Sequence, residues 1–299
     1  MSRLDLRSRI EQGVLLLDGA MGTQLIARGV EPGVCNDAIC VESPEIVADI
    51  HGAYLQAGSD AVITNTFGAN RYTLARHGLA EKAHEINKAG AEVARRAAGE
   101  DKYVLGDIGP TGDFLEPLGT LKAEALKEAF ATQAQGLFDG GVDGFIVETM
   151  TALDEIEVAI AAVQSLDTGL PVFASMSFDK TATDYRTMMG VDVTSAVTKL
   201  VSLGVDAVGF NCGTATLAEY VALAQAYVAA AQATGQDVIV FAEPNAGKPE
   251  LVDGEAVYRV TPEEFAAAEK QMFAAGVRVL GGCCGTAPAF IEAVAQALR

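Results

Sequence analysis

Hydrophobic and polar positions along the chain follow one unit that recurs eight times. In each unit a short, nearly continuous run of apolar and β-branched residues precedes a longer segment with apolar positions at helical spacing. The short runs predict strands at 14–18, 60–65, 103–107, 144–149, 171–176, 206–211, 237–242 and 277–282. The clearest helical segments are 122–139, 152–165, 191–203, 216–233 and 288–298. Continuous apolar strands are typical of a parallel sheet covered on both faces.

The regularity of the units indicates how the strands are arranged. The 299 residues divide into units of about 37 residues, the size of one βα unit. No Ser- or Pro-rich linker interrupts the series. An open doubly wound sheet is the alternative α/β architecture. Eight regular units favour closure, so we expect residues 1–299 to form one domain, a (β/α)8 TIM barrel.

Composition and charge limit the classes of partner and the cellular compartment that we expect for this protein. The formal net charge of −19 argues against nucleic acid and against an anionic membrane surface. No stretch is long and apolar enough to span a bilayer, and the charged N-terminal segment does not resemble a secretory signal. We therefore expect a cytoplasmic protein, in which the five cysteines stay reduced. Clustered cysteines then favour metal binding or catalysis over disulfides.

The ends of the predicted strands carry the candidate chemistry. In a (β/α)8 barrel the active site lies where the strands end at their carboxyl side. The polar residues at these ends are Asp18, Asn65, Asp107, Glu148, Ser177, Asn211, Cys212, Glu243, Asn245, Cys283 and Cys284. Contact with water alone does not require so many carboxylates and thiols.

Three of these residues form a candidate metal site. Cys212 ends the sixth predicted strand, and Cys283 and Cys284 end the eighth. Alternate strands contribute to the same layer of a barrel, so the three sulfurs can converge if the glycine-flanked chain turns at the cysteine pair. Three thiolates suit Zn²⁺ with an open fourth position. The alternatives are cysteines that serve as small apolar residues, or a disulfide between the adjacent pair.

The remaining cysteines and the histidines are expected to be structural. Cys35 and Cys40 lie in the first predicted loop, away from the other three. A thiol that binds zinc loses its proton without help from a base, so catalysis at such a site does not need a histidine. We therefore expect structural or surface roles for His51, His77 and His84.

An open zinc position beside amino-acid-binding groups indicates a thiol amino acid as substrate. The glycine-rich turn 18–25, DGAMGTQL, offers backbone N–H groups to a carboxylate, although an ordinary β-to-α turn has the same composition. Asp18 and Glu148 could bind an ammonium group. Zinc would bind the sulfur of such a molecule, the turn its carboxylate and the two acidic residues its ammonium group.

Seven motifs, in chain order, carry a family resemblance. They are LLLDGAMGTQL, TNTFGAN, GDIGPTG, VETM, FNCG, EPNAGKP and GGCCGT. From about Gly13 to Ala295 the chain resembles the homocysteine S-methyltransferase family. Within it, the motifs are most similar to the homocysteine-binding module of the cobalamin-dependent methionine synthase branch.

The resemblance implies specific roles for the site residues. It places the zinc ligands on Cys212, Cys283 and Cys284. The homocysteine contacts that it implies are Asp18, Gly19, Ala20, Met21, Gly22, Thr23 and Glu148. Asn211 and Asn245 would face the substrate or stand directly behind the residues that do.

The implied reaction methylates the thiol of homocysteine and gives methionine. The chain has no D-x-H-x-x-G corrinoid motif, so we expect methylcobalamin to be supplied in trans by a separate corrinoid protein. A small donor, S-methylmethionine, S-adenosylmethionine or betaine, is the alternative within enzymes. A non-catalytic zinc- and thiol-binding partner module is the alternative outside them. The acceptor could also be another thiol, and the long loop 178–192 has no assigned role.

Overall fold

The computed structural model describes residues 3–252 and 255–299, and within them parallel strands alternate with helices. Each sequence-predicted strand is present, within one or two residues at most ends. The eight strands are β1 (Leu15–Leu16), β2 (Ala61–Ile63), β3 (Tyr103–Ile108), β4 (Gly144–Met150), β5 (Val172–Met176), β6 (Ala207–Asn211), β7 (Ile239–Glu243) and β8 (Val279–Leu280).

The strands form a nearly closed barrel. The order in the sheet is β1-β8-β7-β6-β5-β4-β3-β2, and every neighbouring pair is parallel. Asp60, just before β2, joins the two end strands. Its N–H donates to the Leu16 carbonyl at 2.7 Å, and its Oδ2 accepts the Leu16 N–H at 3.0 Å. The prediction of a (β/α)8 TIM barrel is confirmed, and an open doubly wound sheet is not found.

A helix follows each barrel strand and covers the outside of the sheet. These helices are α1 (Pro44–Ala57), α2 (Ala83–Ala98), α3 (Ala123–Asp139), α4 (Leu153–Gln164), α5 (Val193–Ser202), α6 (Leu217–Ala233), α7 (Pro262–Ala275) and α8 (Pro288–Leu298). Helix α7 begins as its sequence predicts, since Thr261 and Glu264 form a reciprocal capping box before Pro262. None of the described helices is long and apolar enough to cross a membrane.

Shorter elements occupy the ends of the barrel and its loops. The short α-helices are Leu6–Glu11, Gly22–Ala27, Ile39–Glu42 and Arg71–Ala75, and the 3-10 helices are Asn36–Ala38 and Ala80–Lys82. Two antiparallel hairpins follow β5 and β7, pairing Asp179–Lys180 with Tyr185–Arg186 and Glu250–Val252 with Glu255–Val257. The first hairpin gives structure to the long loop 178–192.

The interior of the barrel changes character from one end to the other. Side chains alternate across each strand, so every second residue points inward. Towards the amino ends of the strands, which we call the lower end of the barrel, the inward positions are apolar. They form one buried cluster that includes Leu105, Ile146 and Phe173. The next inward positions on β3 and β4 are Asp107 and Glu148. The barrel therefore has an apolar filling that is topped by ionisable groups at the carboxyl ends of the strands.

Candidate active site

The three predicted metal ligands lie together at the carboxyl end of the barrel. Their sulfur atoms are all within 4.8 Å of one another. Cys284 Sγ lies 4.0 Å from Cys212 Sγ and 3.9 Å from Cys283 Sγ. Tetrahedral zinc with Zn–S bonds of about 2.3 Å holds its sulfurs about 3.8 Å apart. The spacing of the sulfurs therefore fits the metal that the donor set favours.

The backbone turns that bring these thiols together use unusual conformations. The Thr286 N–H donates to the Cys283 carbonyl at 3.2 Å, and Gly285 has φ +81°, as a type II β-turn requires at its third position. Cys212 has φ +56°, which is costly for a residue with a side chain. Next to it, a Cβ on Gly213 would lie 2.2 Å from the Phe178 carbonyl oxygen. Such strain clusters at functional sites.

The three thiols shift one another's pKa values because they lie so close together. The pKa of Cys283 is raised well above its ordinary value because its thiol hydrogen-bonds to Cys212 and Cys284. The pKa of Cys284 is lowered because its sulfur interacts with the thiols of Cys212 and Cys283. The thiols therefore interact closely with one another, and their sulfurs are close enough to bind one divalent cation together.

A layer of buried carboxyl groups lies beside the thiols. Asp18, Asp107 and Glu243 expose 2–4% of their surface. Burial raises the pKa of Glu148 to about 7. Among the described residues, Asp107 Oδ1 and Glu243 Oε2 have no hydrogen-bond partner. Buried carboxylates without a partner are costly, so this layer is suited to a cationic group that enters from outside.

Asn211 orients the carboxyl group of Glu148. Its Nδ2 donates to Glu148 Oε2, while its Oδ1 accepts from the Thr149 N–H at 2.9 Å and from Ser175 Oγ at 2.8 Å. Asn211 is fully buried and is not among the residues that line the cavity described below. Asn245 is also buried, and its Nδ2 donates to the Gly213 carbonyl at 2.6 Å, next to Cys212.

The turn after β1 lies beside the cysteine loop after β8 and contributes to the same site. Asp18 Oδ2 accepts the Ile63 N–H at 3.1 Å, and the Ala20 N–H donates to Thr286 Oγ1 at 3.0 Å. Residues 22–27 then form a short helix, so the first-turn N–H groups at 22–24 have no acceptor within it. The predicted anion-binding turn therefore keeps backbone donors for a ligand.

One cavity of about 700 Å³ joins these parts. The sequence-predicted residues that line it are Ala20, Met21, Gly22, Thr23, Glu148, Cys212, Cys283 and Cys284. Asp18, Gly19, Asn211 and Asn245 are not among the lining residues and stand behind them. No lysine or arginine of the described chain lines this cavity. The structure therefore brings most of the predicted site to one place.

The other two cysteines and the three histidines are not part of the sulfur cluster. Cys35 lines the cavity but is not in the sulfur cluster. Cys40 is buried, with its sulfur 3.3 Å from the Asn65 carbonyl oxygen. His51 is fully buried in α1, with its Nδ1 3.8 Å from Asp18 Oδ2. His84 pairs with Asp139 on the surface, and His77 lines the cavity.

Three residues near the site had no assigned role in the sequence. Thr286 and Tyr54 hydrogen-bond to the turn after β1. The ring of Tyr258 packs directly against Gly285, so that a Cβ on this glycine would lie 2.3 Å from the ring carbon Cγ. Asp107 is marked in the sequence only by its place at a strand end. No local pattern distinguishes Tyr54 or Tyr258, because chain segments distant in sequence bring them to the site.

Comparisons with known proteins agree with this geometry. Residues 15–298 match the family model described as homocysteine S-methyltransferase. The methionine synthase of Mycobacterium tuberculosis is 35% identical over 98% of this chain, and that of Mycobacterium leprae is 34% identical over 98%. The chain spans about a quarter of the length of these relatives, 25% in each case.

Solved structures also resemble this chain over almost the full length of both proteins. The metallated form of the homocysteine methyltransferase MmuM from Escherichia coli is 26% identical, with a TM-score of 0.78, and the alignment covers 97% of this chain and 99% of that one. A methyltransferase from Methanosarcina mazei, 11% identical with a TM-score of 0.63 over 99% and 98% of the chains, shares the fold alone. The chain belongs to the homocysteine S-methyltransferase family.

Proposed function

We propose that this chain is a zinc-dependent methyltransferase that transfers a methyl group to the thiol of homocysteine and gives methionine. The observation that carries the proposal is the cavity itself. Its lining combines three sulfurs within 4.8 Å of one another, a carboxyl group and a turn with backbone donors. These groups suit the sulfur, the ammonium group and the carboxylate of one thiol amino acid.

The sulfur side of the cavity supplies the nucleophile. Cys212, Cys283 and Cys284 would hold zinc with its fourth position towards the cavity. When bound, zinc lowers the pKa of a substrate thiol so that the thiolate forms at neutral pH. The chain contributes the converging cysteines and the turns that fix them.

The polar side of the cavity holds the amino acid. Glu148, oriented by Asn211, would accept the ammonium group, and burial strengthens that ion pair because little water competes. The backbone N–H groups at 22–24, which have no acceptor within their short helix, would bind the carboxylate. Asp18 supports the same end from behind, where it accepts the Ile63 N–H.

The donor in this proposal is methylcobalamin carried by a separate corrinoid protein. The support is the rim of the cavity, where large apolar side chains are exposed on several loops. This apolar rim consists of Ile26 and Phe67, which line the cavity, and of Phe114, Leu118, Met188 and Met189, which lie on the loops that follow β3 and β5 at the same end of the barrel. Exposed apolar surface around a site marks an interface with another macromolecule. A donor presented by a protein would bury this rim while its methyl group reaches the thiol.

A small methyl donor is the second candidate. MmuM, a homocysteine methyltransferase that matches 97% of this chain and 99% of its own, favours it because the likeness covers both chains almost completely. The cavity volume of about 700 Å³ also exceeds the needs of homocysteine alone. The part of the cavity that is lined by Val34, Phe67 and Asp37 would then receive S-methylmethionine, S-adenosylmethionine or betaine.

One assay separates the two donors. Zinc-loaded protein and homocysteine are mixed in turn with a methylated corrinoid protein, free methylcobalamin, S-methylmethionine, S-adenosylmethionine and betaine, and methionine is measured. We expect turnover with the corrinoid protein and slower turnover with free methylcobalamin. Turnover with a small donor and none with either corrinoid would replace the donor assignment. No methionine from any donor would leave only a binding module.

A rim variant tests the docking surface in the same assay. Leu118→Glu places a charge on a side chain that is 73% exposed, and we expect it to slow turnover with the corrinoid protein by about tenfold while free methylcobalamin is unaffected. Leu4→Glu is the matched control. Leu4 is also exposed, and its carbonyl accepts from Tyr103 at the opposite end of the barrel.

A further inference from the structure

The turn after β1 and the cysteine loop after β8 are joined by one hydroxyl group. Thr286 Oγ1 accepts the Ala20 N–H at 3.0 Å and donates to the Cys283 carbonyl at 2.7 Å. Thr286 is 1% exposed. A single side chain thus connects the backbone of the amino-acid-binding turn to the backbone of a sulfur ligand.

Tyr54, from helix α1, closes the same connection from the other side. Its hydroxyl lies 2.8 Å from the Ala20 carbonyl and 3.4 Å from the Thr286 carbonyl, so it can donate to either. The Gly282 N–H donates to the Asp18 carbonyl at 2.9 Å, which adds a direct backbone link. These contacts hold the two segments in one arrangement.

Two glycines allow this close approach. A Cβ on Gly19 would lie 2.6 Å from Thr286 Oγ1, and a Cβ on Gly282 would lie 2.7 Å from the same atom. Side chains at either position would push the segments apart. The glycines of the DGAMG and GGCCGT motifs therefore have a shared role, since both make room for the hydroxyl between them.

We propose that Thr286 is a positioning residue that fixes the span between the amino-acid-binding turn and the cysteine cluster, and so selects a thiol amino acid with the chain length of homocysteine. The proposal rests on the proposed function. Homocysteine has two methylene groups between its α-carbon and sulfur, and cysteine has one. A fixed span that fits the longer molecule holds both of its ends at once, whereas the shorter one must release one end.

The first test compares binding of homocysteine and cysteine to zinc-loaded protein by calorimetry. Thr286→Val keeps the shape of the side chain and removes the hydroxyl. We expect homocysteine affinity to fall by about tenfold or more, with cysteine affinity changed much less, while zinc content stays at the wild-type level. Thr286→Ser should restore most of the preference because it restores the hydroxyl. Thr187→Val, at another buried threonine, is the matched control.

A second measurement does not depend on zinc. In metal-free protein, hydrogen exchange of the Ala20 amide should speed up in Thr286→Val, since that amide loses its acceptor. If Thr286→Val fails to fold, Tyr54→Phe decides, with the same expected loss of preference. Unchanged preference in a folded variant, equal losses for both amino acids, or loss of zinc would each overturn the proposal. If wild-type protein binds no homocysteine, the proposed function fails first and the inference falls with it.

Discussion

The two ends of the barrel interior are built from the same strands but carry opposite chemistry. At the lower end, inward positions such as Leu105, Ile146 and Phe173 are apolar and fully buried. Two residues further along β3 and β4, the inward positions are the acids Asp107, which is buried, and Glu148, which is half-buried. Both sets of side chains point into the barrel because side chains alternate along a strand. An inward side chain near the amino end of its strand therefore packs in the core, whereas one near the carboxyl end is placed to bind a ligand.

Stability of the fold and function of the site therefore depend on different positions of the same strands. Packing of apolar side chains at the lower end stabilises the fold. Burial of carboxyl groups at the carboxyl ends of the strands, the mouth of the barrel, costs free energy of folding. The strained backbone at Cys212 and Thr149, with φ of +56° and +60°, adds to that cost. The lower end therefore offsets a mouth that is arranged for ligands, and changes at the two ends should have separable effects.

The largest effect on activity should come from the sulfur cluster. Cys283→Ala leaves two thiols, which do not complete a catalytic zinc site, so we expect loss of the metal and a fall in methionine formation of more than about 100-fold. Metal analysis and the methyl-transfer assay measure both. Cys35→Ala, which removes another thiol from the cavity lining, should keep zinc and activity. Full zinc content in Cys283→Ala would contradict the ligand assignment.

The lower end should respond in the opposite way. Phe173 is fully buried and packs against Phe241, with ring centroids 5.6 Å apart. Phe173→Ala should lower the free energy of unfolding by about 3–5 kcal/mol because it leaves a cavity, as urea unfolding would measure. The folded fraction should still bind zinc and homocysteine with wild-type affinity. A change in homocysteine affinity as large as the loss of stability would show that the two ends are not separable.

Much of this architecture was predictable from local patterns. Each strand is a short apolar run between turn residues, and the strand-end rule then gathers residues such as Glu148 and Cys212 from distant positions. The predicted turn at Cys283–Cys284 is present because Gly285 permits the positive φ that the β-turn requires. Continuous apolar strands were informative because both faces of the sheet are covered.

The connections between loops could not be predicted in the same way. Thr286 and Tyr54 contact Ala20 only because the barrel places β1 beside β8, and nothing in their own segments marks the contact. Asp107 stood in the sequence as one polar strand end among many. Its role as a neighbour of Glu148 depends on the register of β3 and β4, which no local pattern gives.

Removal of one carboxyl group from the mouth should weaken substrate binding without loss of metal. Glu148→Ala removes a charged partner of the ammonium group, worth about 1.5–3 kcal/mol, so we expect homocysteine to bind more than tenfold more weakly. Binding should still release a proton from the thiol, which calorimetry in buffers of different ionisation enthalpy would detect. Glu128→Ala, at an exposed position on α3, is the control. Normal homocysteine affinity in Glu148→Ala would place the ammonium pocket elsewhere.

The smallest expected effect is the dependence of stability on pH, and it arises from the same carboxyl group. Burial raises the pKa of Glu148 from its ordinary value of 4.5 to about 7 in the folded chain. Because the folded pKa is the higher one, the folded chain keeps a proton that the unfolded chain releases between these pH values. Glu148 therefore contributes stability that is fully present below about pH 4.5 and is lost as the pH rises through 7.

Glu148→Gln isolates this contribution, because glutamine has a similar shape and does not titrate. Between pH 5 and pH 8 the unfolding free energy of metal-free wild-type protein should fall relative to that of Glu148→Gln by on the order of 2 kcal/mol. Urea unfolding of both proteins across this range, without homocysteine, measures the difference, and the subtraction removes the titration of groups that the two proteins share. A difference that stays constant with pH would mean that the carboxyl group is well solvated. The contrast between an apolar lower end and a desolvated carboxyl group at the other end of the same strands would then be wrong.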